Sequence, residues 1–135
     1  MNNYESKFKD LYEIDSGVLE LKYNDFVKKN KDYYLKGKNI KEGIIIFYAP
    51  WCTHCKKMSS ELKNLVSDYT NIFFIGVINS EDIINKNDIL SSIFKIKEYP
   101  TYFIIKNNKI IKLKEQFKNL DDINFYILIN SQWLI

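Results

Sequence analysis

The chain contains no arginine. Of its 135 residues 20 are basic, every one of them lysine, against 17 acidic residues. Without a guanidinium there is no planar fork for two-pronged contacts to phosphate or guanine. The lysines are also interspersed with acids (Lys28, Lys29 and Lys31; Lys36, Lys38 and Lys41; Lys109, Lys112 and Lys114), as on solvated faces. No nucleic-acid partner is expected. No apolar run approaches the roughly 18 residues needed to span a bilayer. The opening "MNNYESKFKD" lacks the apolar stretch of a secretory signal, and no Asn-x-Ser/Thr acceptor site occurs. The expectation is a soluble, cytoplasmic chain with no membrane partner. Glycine and proline are scarce, at four and two residues, whereas 46% of the chain is hydrophobic and 16% aromatic. Such a chain buries a core of its own.

Soft ligands are scarcer still: two cysteines and one histidine, all within Cys52-Thr53-His54-Cys55. Three such groups cannot supply the four ligands of a structural zinc site, so no metal is expected. A structural disulfide between positions i and i+3 closes too short a loop to stabilise much, and a cytoplasmic setting would keep it reduced. Redox chemistry is the remaining reading of the pair, with no organic cofactor.

The surrounding pattern supports it. "IIIFYA", residues 44–49, is apolar on both faces, as in a central strand covered from either side. From Cys52 to about Tyr69 the period changes, with Cys55, Met58, Leu62, Leu65 and Val66 on one helical face. "NIFFIGVI", 71–78, reads as a second buried strand, which makes a βαβ unit with parallel pairing. A helix is expected from Ser80 or Asn87 to Phe94. "TYFII" and "KIIKL" follow as a hairpin turning at Asn107-Asn108, then a last helix capped by Asp121 or Asp122 and carrying Ile123, Tyr126 and Ile127. Ahead of the central strand, Tyr4, Phe8, Leu11 and Tyr12 predict an amphipathic helix over residues 3–13. Val18, Leu19 and Leu21 predict an edge strand, and Asn24 or Asp25 through Gly37, with Phe26, Val27, Tyr33 and Tyr34, predicts another helix. The fold class is α/β: one domain over 1–135, a mixed sheet with helices on both faces, and an N-terminal helical extension over 1–17.

Within this frame Cys52 falls at the start of its helix, where unsatisfied N–H groups and the dipole favour an anion. Its thiolate is expected to attack a disulfide, and Cys55, one turn on, to resolve the mixed disulfide that results.

"FYAPWCTHCK", followed further along by "YPTYFIIKNNKI", resembles the thioredoxin-fold oxidoreductases. Within them it is most similar to the catalytic domains of protein disulfide isomerases. The resemblance covers roughly residues 18–130. It implies that Cys52 is the nucleophile, Cys55 the resolving thiol, and Pro100 a cis-proline facing them. Trp51 and Tyr99 would border a peptide groove, and Thr53 and His54, between the sulfurs, would tune the potential, His54 toward a stronger oxidant.

Four positions depart from the family pattern. Ile46 stands six residues before the nucleophile, where relatives usually carry a buried Asp or Glu. Ser60 stands where a proline usually kinks the helix, so a straight helix is expected. Glu115 and Gln116 replace an aliphatic residue and a glycine beside the groove. The expected function is thiol–disulfide exchange on protein substrates that carry cysteines or disulfides, by a monomer, with a reducing or oxidising partner protein. The alternatives are a thioredoxin-fold binding or chaperone module with weak turnover, and a glutathione-coupled, glutaredoxin-like enzyme.

Overall fold

The computed structural model describes residues 10–12, 17–69 and 72–131. The strongest apolar run of the chain becomes the centre of the sheet. β4 (Glu42–Tyr48) pairs in parallel with β5 (Phe74–Asn79) and antiparallel with β6 (Thr101–Lys106), so Ile46 lies opposite Val77 on one side and Tyr102 on the other. β1 (Leu19–Glu20) adds in parallel to the far edge of β5, and β7 (Lys109–Lys112) closes the hairpin with β6. Asn107 and Asn108 form its two-residue turn at φ 51° and 68°, the left-handed region that asparagine tolerates. With β2 (Phe26–Lys29) and β3 (Asp32–Leu35) the sheet has, among the described residues, seven strands in the order β1-β5-β4-β6-β7-β3-β2.

Because side chains alternate along a strand, β4 supplies two cores. Ile44, Ile46 and Tyr48 face α1 (Thr53–Tyr69) and α3 (Leu120–Ser131), packing with Cys55, Met58, Leu62 and Val66 of the first helix and Ile123 and Ile127 of the last. Ile45 and Phe47 face the opposite side, where Phe103, Ile105, Phe26 and Leu35 gather with Leu90 of α2 (Asn87–Ile93). Helices therefore cover both faces of a mixed sheet, and α1 runs unbroken through Ser60.

Two expectations are corrected. The helix expected from residue 24 to Gly37 is a β-hairpin: β2 and β3 pair from Phe26↔Leu35 to Lys29↔Asp32, around a turn in which Asn30 takes φ 59°. β3 in turn covers the open edge of β7, with Tyr34 opposite Lys109. Tyr33, Phe26 and Phe94 then stack by ring contacts of 5.2 and 6.3 Å. Unpaired N–H and C=O groups on the β7 edge, together with β-prone aromatics, outweigh helical spacing. The last helix is capped by Asn119 and not by Asp121 or Asp122: Asn119 Oδ1 accepts the Asp122 N–H at 3.0 Å, while Asp122 reaches back to the Lys118 N–H at 2.9 Å. The helix expected over residues 3–13, like the extension over 1–17 to which it belongs, lies outside the described residues except for Asp10–Tyr12 and Gly17, which are not helical.

Candidate active site

The turn that follows β4 delivers the first cysteine to the end of a helix. The Cys52 N–H donates to the Ala49 carbonyl at 3.0 Å, closing Ala49–Cys52, and the Cys52 carbonyl accepts the Lys56 N–H at 3.0 Å as the first bond of α1. Cys52 is thus the cap residue. Its Sγ accepts the Cys55 N–H at 3.2 Å, in the way a serine or aspartate oxygen satisfies an orphan donor at this position. The Cys52 thiol also lies 3.6 Å from the Tyr99 carbonyl oxygen, to which it donates. The Tyr99–Pro100 bond is cis.

Both cysteines are free thiols and lie in the core that Ile46 shares. Cys52 keeps 7% of its surface exposed and Cys55 only 1%, so an incoming disulfide meets Cys52 first. Burial, and then the neighbouring Cys52 sulfur, push the Cys55 thiol up to about 12. The buried tyrosines of this core are likewise held protonated. Burial raises Tyr102, helped by Cys55 and Cys52, and burial raises Tyr12, helped by Glu20 and Cys55.

Trp51 is 57% exposed, yet fixed at both ends. Its ring meets Tyr99 edge-on at 5.7 Å and 84°, and its Nε1–H donates to Glu81 Oε1 at 2.7 Å. With Tyr99 and Pro100 it forms a rim beside Cys52. Thr53 and His54 sit on the exposed first turn of α1. His54 lines a shallow depression of about 180 Å³ with Lys57, Met58, Glu61, Tyr102 and Leu120, on the α3 side of the cysteines. Gln116 brackets the start of β6, its Oε1 accepting the Tyr102 N–H at 2.6 Å and its Nε2 donating to the Tyr102 carbonyl at 2.9 Å. Among the described residues no cluster of three or more His, Cys, Asp or Glu side chains could hold a metal ion.

The structure brings Trp51, Cys52, Cys55, Tyr99 and Pro100 together past the C-terminal end of β4, beside the start of β6. It also adds residues that the sequence reading missed. Glu81 anchors Trp51 from a separate loop, a juxtaposition with no local signal. Glu20 places a carboxyl in the same core as the cysteines, accepting a hydrogen bond from the Tyr48 hydroxyl. That one had a signal: in "VLEL" period two puts Glu20 on the face of buried Val18, where an acid is unusual.

A mixed sheet with a βαβ core and a dithiol at the helix start, beside an X-Pro turn, defines an α/β redox fold. The sequence model of the thioredoxin family, described as "Thioredoxin", matches residues 22–128, and the chain belongs to that family. It is 33% identical over 120 residues to thioredoxin 2 of Plasmodium berghei, covering 84% of this chain and 71% of that one. It is 29% identical over 108 residues to protein disulfide-isomerase MPD1 of Saccharomyces cerevisiae, covering 78% of this chain but only 31% of the yeast protein. The chain therefore spans under a third of that relative's length. Among solved structures it is similar in fold to thioredoxin f2 of Chlamydomonas reinhardtii, with a TM-score of 0.65 at 22% identity over 84% of this chain and 96% of that one.

Proposed function

We propose that the chain is a thiol–disulfide oxidoreductase acting on proteins that carry cysteines or disulfides. The observation that carries this reading is the placement of Cys52 Sγ as the cap of α1, with the Cys55 N–H aimed at it. Cys52 attacks a substrate disulfide, and one substrate sulfur leaves as a thiolate and is protonated by solvent. Cys55 then attacks Cys52 Sγ and releases the second substrate thiol, so two electrons pass from the dithiol to the substrate. Trp51, Tyr99 and Pro100 receive the polypeptide around the disulfide under attack. Thr53 and His54 set the balance between dithiol and disulfide. A second redox protein resets the pair, and the chain works as a monomer. Cytoplasmic placement belongs to the same proposal, and a fluorescent fusion of the full chain in its own cell tests it.

Catalysed reduction of insulin by dithiothreitol tests the activity. The wild type is expected to shorten the lag before precipitation, and Cys52→Ser to match the uncatalysed control. A Cys52→Ser protein as active as wild type would overturn the assignment.

A further inference from the structure

The loop that orients Trp51 is itself tied to the N-terminal segment. Glu81, whose Oε1 accepts the indole N–H at 2.7 Å, stands two residues past the end of β5. Its own backbone N–H donates to Asn79 Oδ1 at 3.0 Å. Asn79 is fully buried, and its Nδ2 donates to Asp10 Oδ1 at 2.9 Å. The other oxygen of Asp10 accepts from Lys22 Nζ at 3.1 Å, and the same ammonium reaches Asp82, next to Glu81, at 2.8 Å. Asp10, Asn79, Glu81 and Trp51, scattered along the chain, are thus joined in series by three hydrogen bonds. The Trp51 ring then meets Tyr99, whose carbonyl accepts from Cys52 Sγ.

The sense of the middle bond follows from what each group can do. Paired with the Lys22 ammonium, the Asp10 carboxylate only accepts, so the Asn79 amide turns its NH2 toward it and its oxygen toward the Glu81 N–H. Without the carboxylate that preference is lost. Turned over, the amide would set an NH2 against the Glu81 N–H, two donors with no acceptor between them, at a position closed to water. The root of the loop does not depend on this amide. The Asn79 carbonyl accepts from Asn87 Nδ2 at 3.1 Å and from the Asp82 N–H at 3.2 Å, and the Ser80 N–H donates to the Tyr48 carbonyl at 2.9 Å. What the amide governs is the setting of Glu81.

Resting on the dithiol reading above and on the rim it assigns to Trp51, we propose that Asp10 is a positioning residue for substrate capture. Through Asn79 and Glu81 the N-terminal segment fixes the face that Trp51 presents beside Cys52, and with it the affinity for a protein disulfide. The series reaches the sulfurs only by way of the ring contact between Trp51 and Tyr99, so it acts on capture and not on the exchange itself. A small disulfide, with little surface to lay on the rim, does not sense Asp10. Coupling of this kind is reciprocal: occupation of the rim is felt at Asn79.

Insulin reduction by the full chain at varied insulin concentration, with dithiothreitol as reductant, tests this beside stopped-flow reaction of the reduced full chain with 5,5′-dithiobis(2-nitrobenzoate). Asp10→Ala is expected to raise KM for insulin about two- to fivefold, the upper end matching one lost hydrogen bond, with kcat and the rate toward the small disulfide as in wild type. Because Asp10 acts through Glu81, adding Asp10→Ala to Glu81→Ala should raise KM no further. The ¹⁵N indole signal of Trp51, identified by its loss in Trp51→Phe, should move in Asp10→Ala. An unchanged KM in folded Asp10→Ala, KM factors that multiply in the double variant, or an unmoved indole signal would each overturn the inference. A wild type that does not reduce insulin would instead defeat the dithiol reading, and the role in capture with it. Should Asp10→Ala fail to fold, wild type decides. Saturation with carboxamidomethylated insulin B chain to the point where the Trp51 indole signal moves should also move the Asn79 side-chain amide pair, and an unmoved pair overturns the inference.

Discussion

The backbone N–H of Cys55 donates to the sulfur of Cys52 across 3.2 Å, so each cysteine of the pair stands in a different electrostatic position. The first receives the donor that begins the helix. The second lies one turn deeper, where burial and the first sulfur push its thiol up to about 12. A thiol raised in this way stays protonated at pH 8 and is a poor nucleophile. Iodoacetamide at pH 8 is therefore expected to modify Cys52 at least tenfold faster than Cys55, as read by peptide mass spectrometry. Faster labelling of Cys55 would reverse the assignment of roles.

Removing the resolving sulfur should separate the two half-reactions. Cys55→Ser keeps the cap residue and its attack but leaves no thiol to release the substrate. Covalent conjugates with client proteins are expected to accumulate on this variant in cells, sensitive to reductant on gels. A variant lacking both cysteines is the reference, and equal conjugate yields from the two would remove the case for protein substrates.

The site is largely legible in the sequence because its chemistry is local: Trp51 to Cys55 is one turn and the start of one helix. The central strands were legible for a related reason, since β4 and β5 are apolar on both faces. What escaped was set by partners far along the chain. Phe26 to Leu35 shows helical spacing, but the open edge of β7 recruits it as a hairpin, and only the register Tyr34↔Lys109 reveals that demand. Glu20 reads as one polar residue in a two-residue strand, and its place in the Val77–Ile46 row exists only once β1 joins β5. The Glu81 contact to Trp51 joins residues 30 apart in the chain and has no periodicity to betray it.

That contact predicts a division of labour on the rim. Trp51 presents an exposed apolar face while Glu81 and Tyr99 hold its orientation. Trp51→Ala is expected to raise KM for a protein disulfide several-fold, because it removes contact area beside Cys52 while both sulfurs stay in place. Glu81→Ala should have a smaller effect in the same direction, equivalent to losing one hydrogen bond of about 1 kcal/mol. A fall in kcat at unchanged KM in both variants would mean that the rim acts on the sulfurs and not on the substrate.

α1 is held by its apolar face. Leu62, fully buried between this helix and the sheet, shares a core with Ile44, Val66 and Ile123. Leu62→Ala should lower stability by about 2–5 kcal/mol, transfer and cavity contributions together. Urea unfolding followed by circular dichroism measures it. A loss below about 1 kcal/mol would mean that the surrounding side chains collapse into the space.

Glu20 makes stability depend on pH in a direction opposite to that of an ion-paired acid. Burial, then the charge of Asp10, push its carboxyl up to about 8, against the hydrogen bond from Tyr48 and the pull of Lys22. An unfolded glutamic acid titrates near 4.3. Between these values the native state keeps a proton that the unfolded chain has lost, so stability is greatest below the unfolded value, declines as pH rises through the window, and levels off above pH 8. The total change is on the order of a few kcal/mol, with the upper end reached only if the site stays dry. Asp82 runs the other way. Despite burial, its hydrogen bonds to Lys22 and Asn85 hold it below the ordinary carboxylate range, and its contribution is lost only in acid. The clean interval is therefore pH 5 to 8, which also stops short of the range where the raised Cys55 thiol begins to oppose folding. Urea unfolding of reduced wild type across that interval should show stability falling with pH, and Glu20→Gln should abolish most of the slope. The variant gains on wild type at pH 8 and approaches it at pH 5, because glutamine cannot ionise and keeps the shape of the protonated acid. A difference between the two proteins that is the same at pH 5 and pH 8 would mean that Glu20 ionises in the folded chain much as it does in the unfolded one.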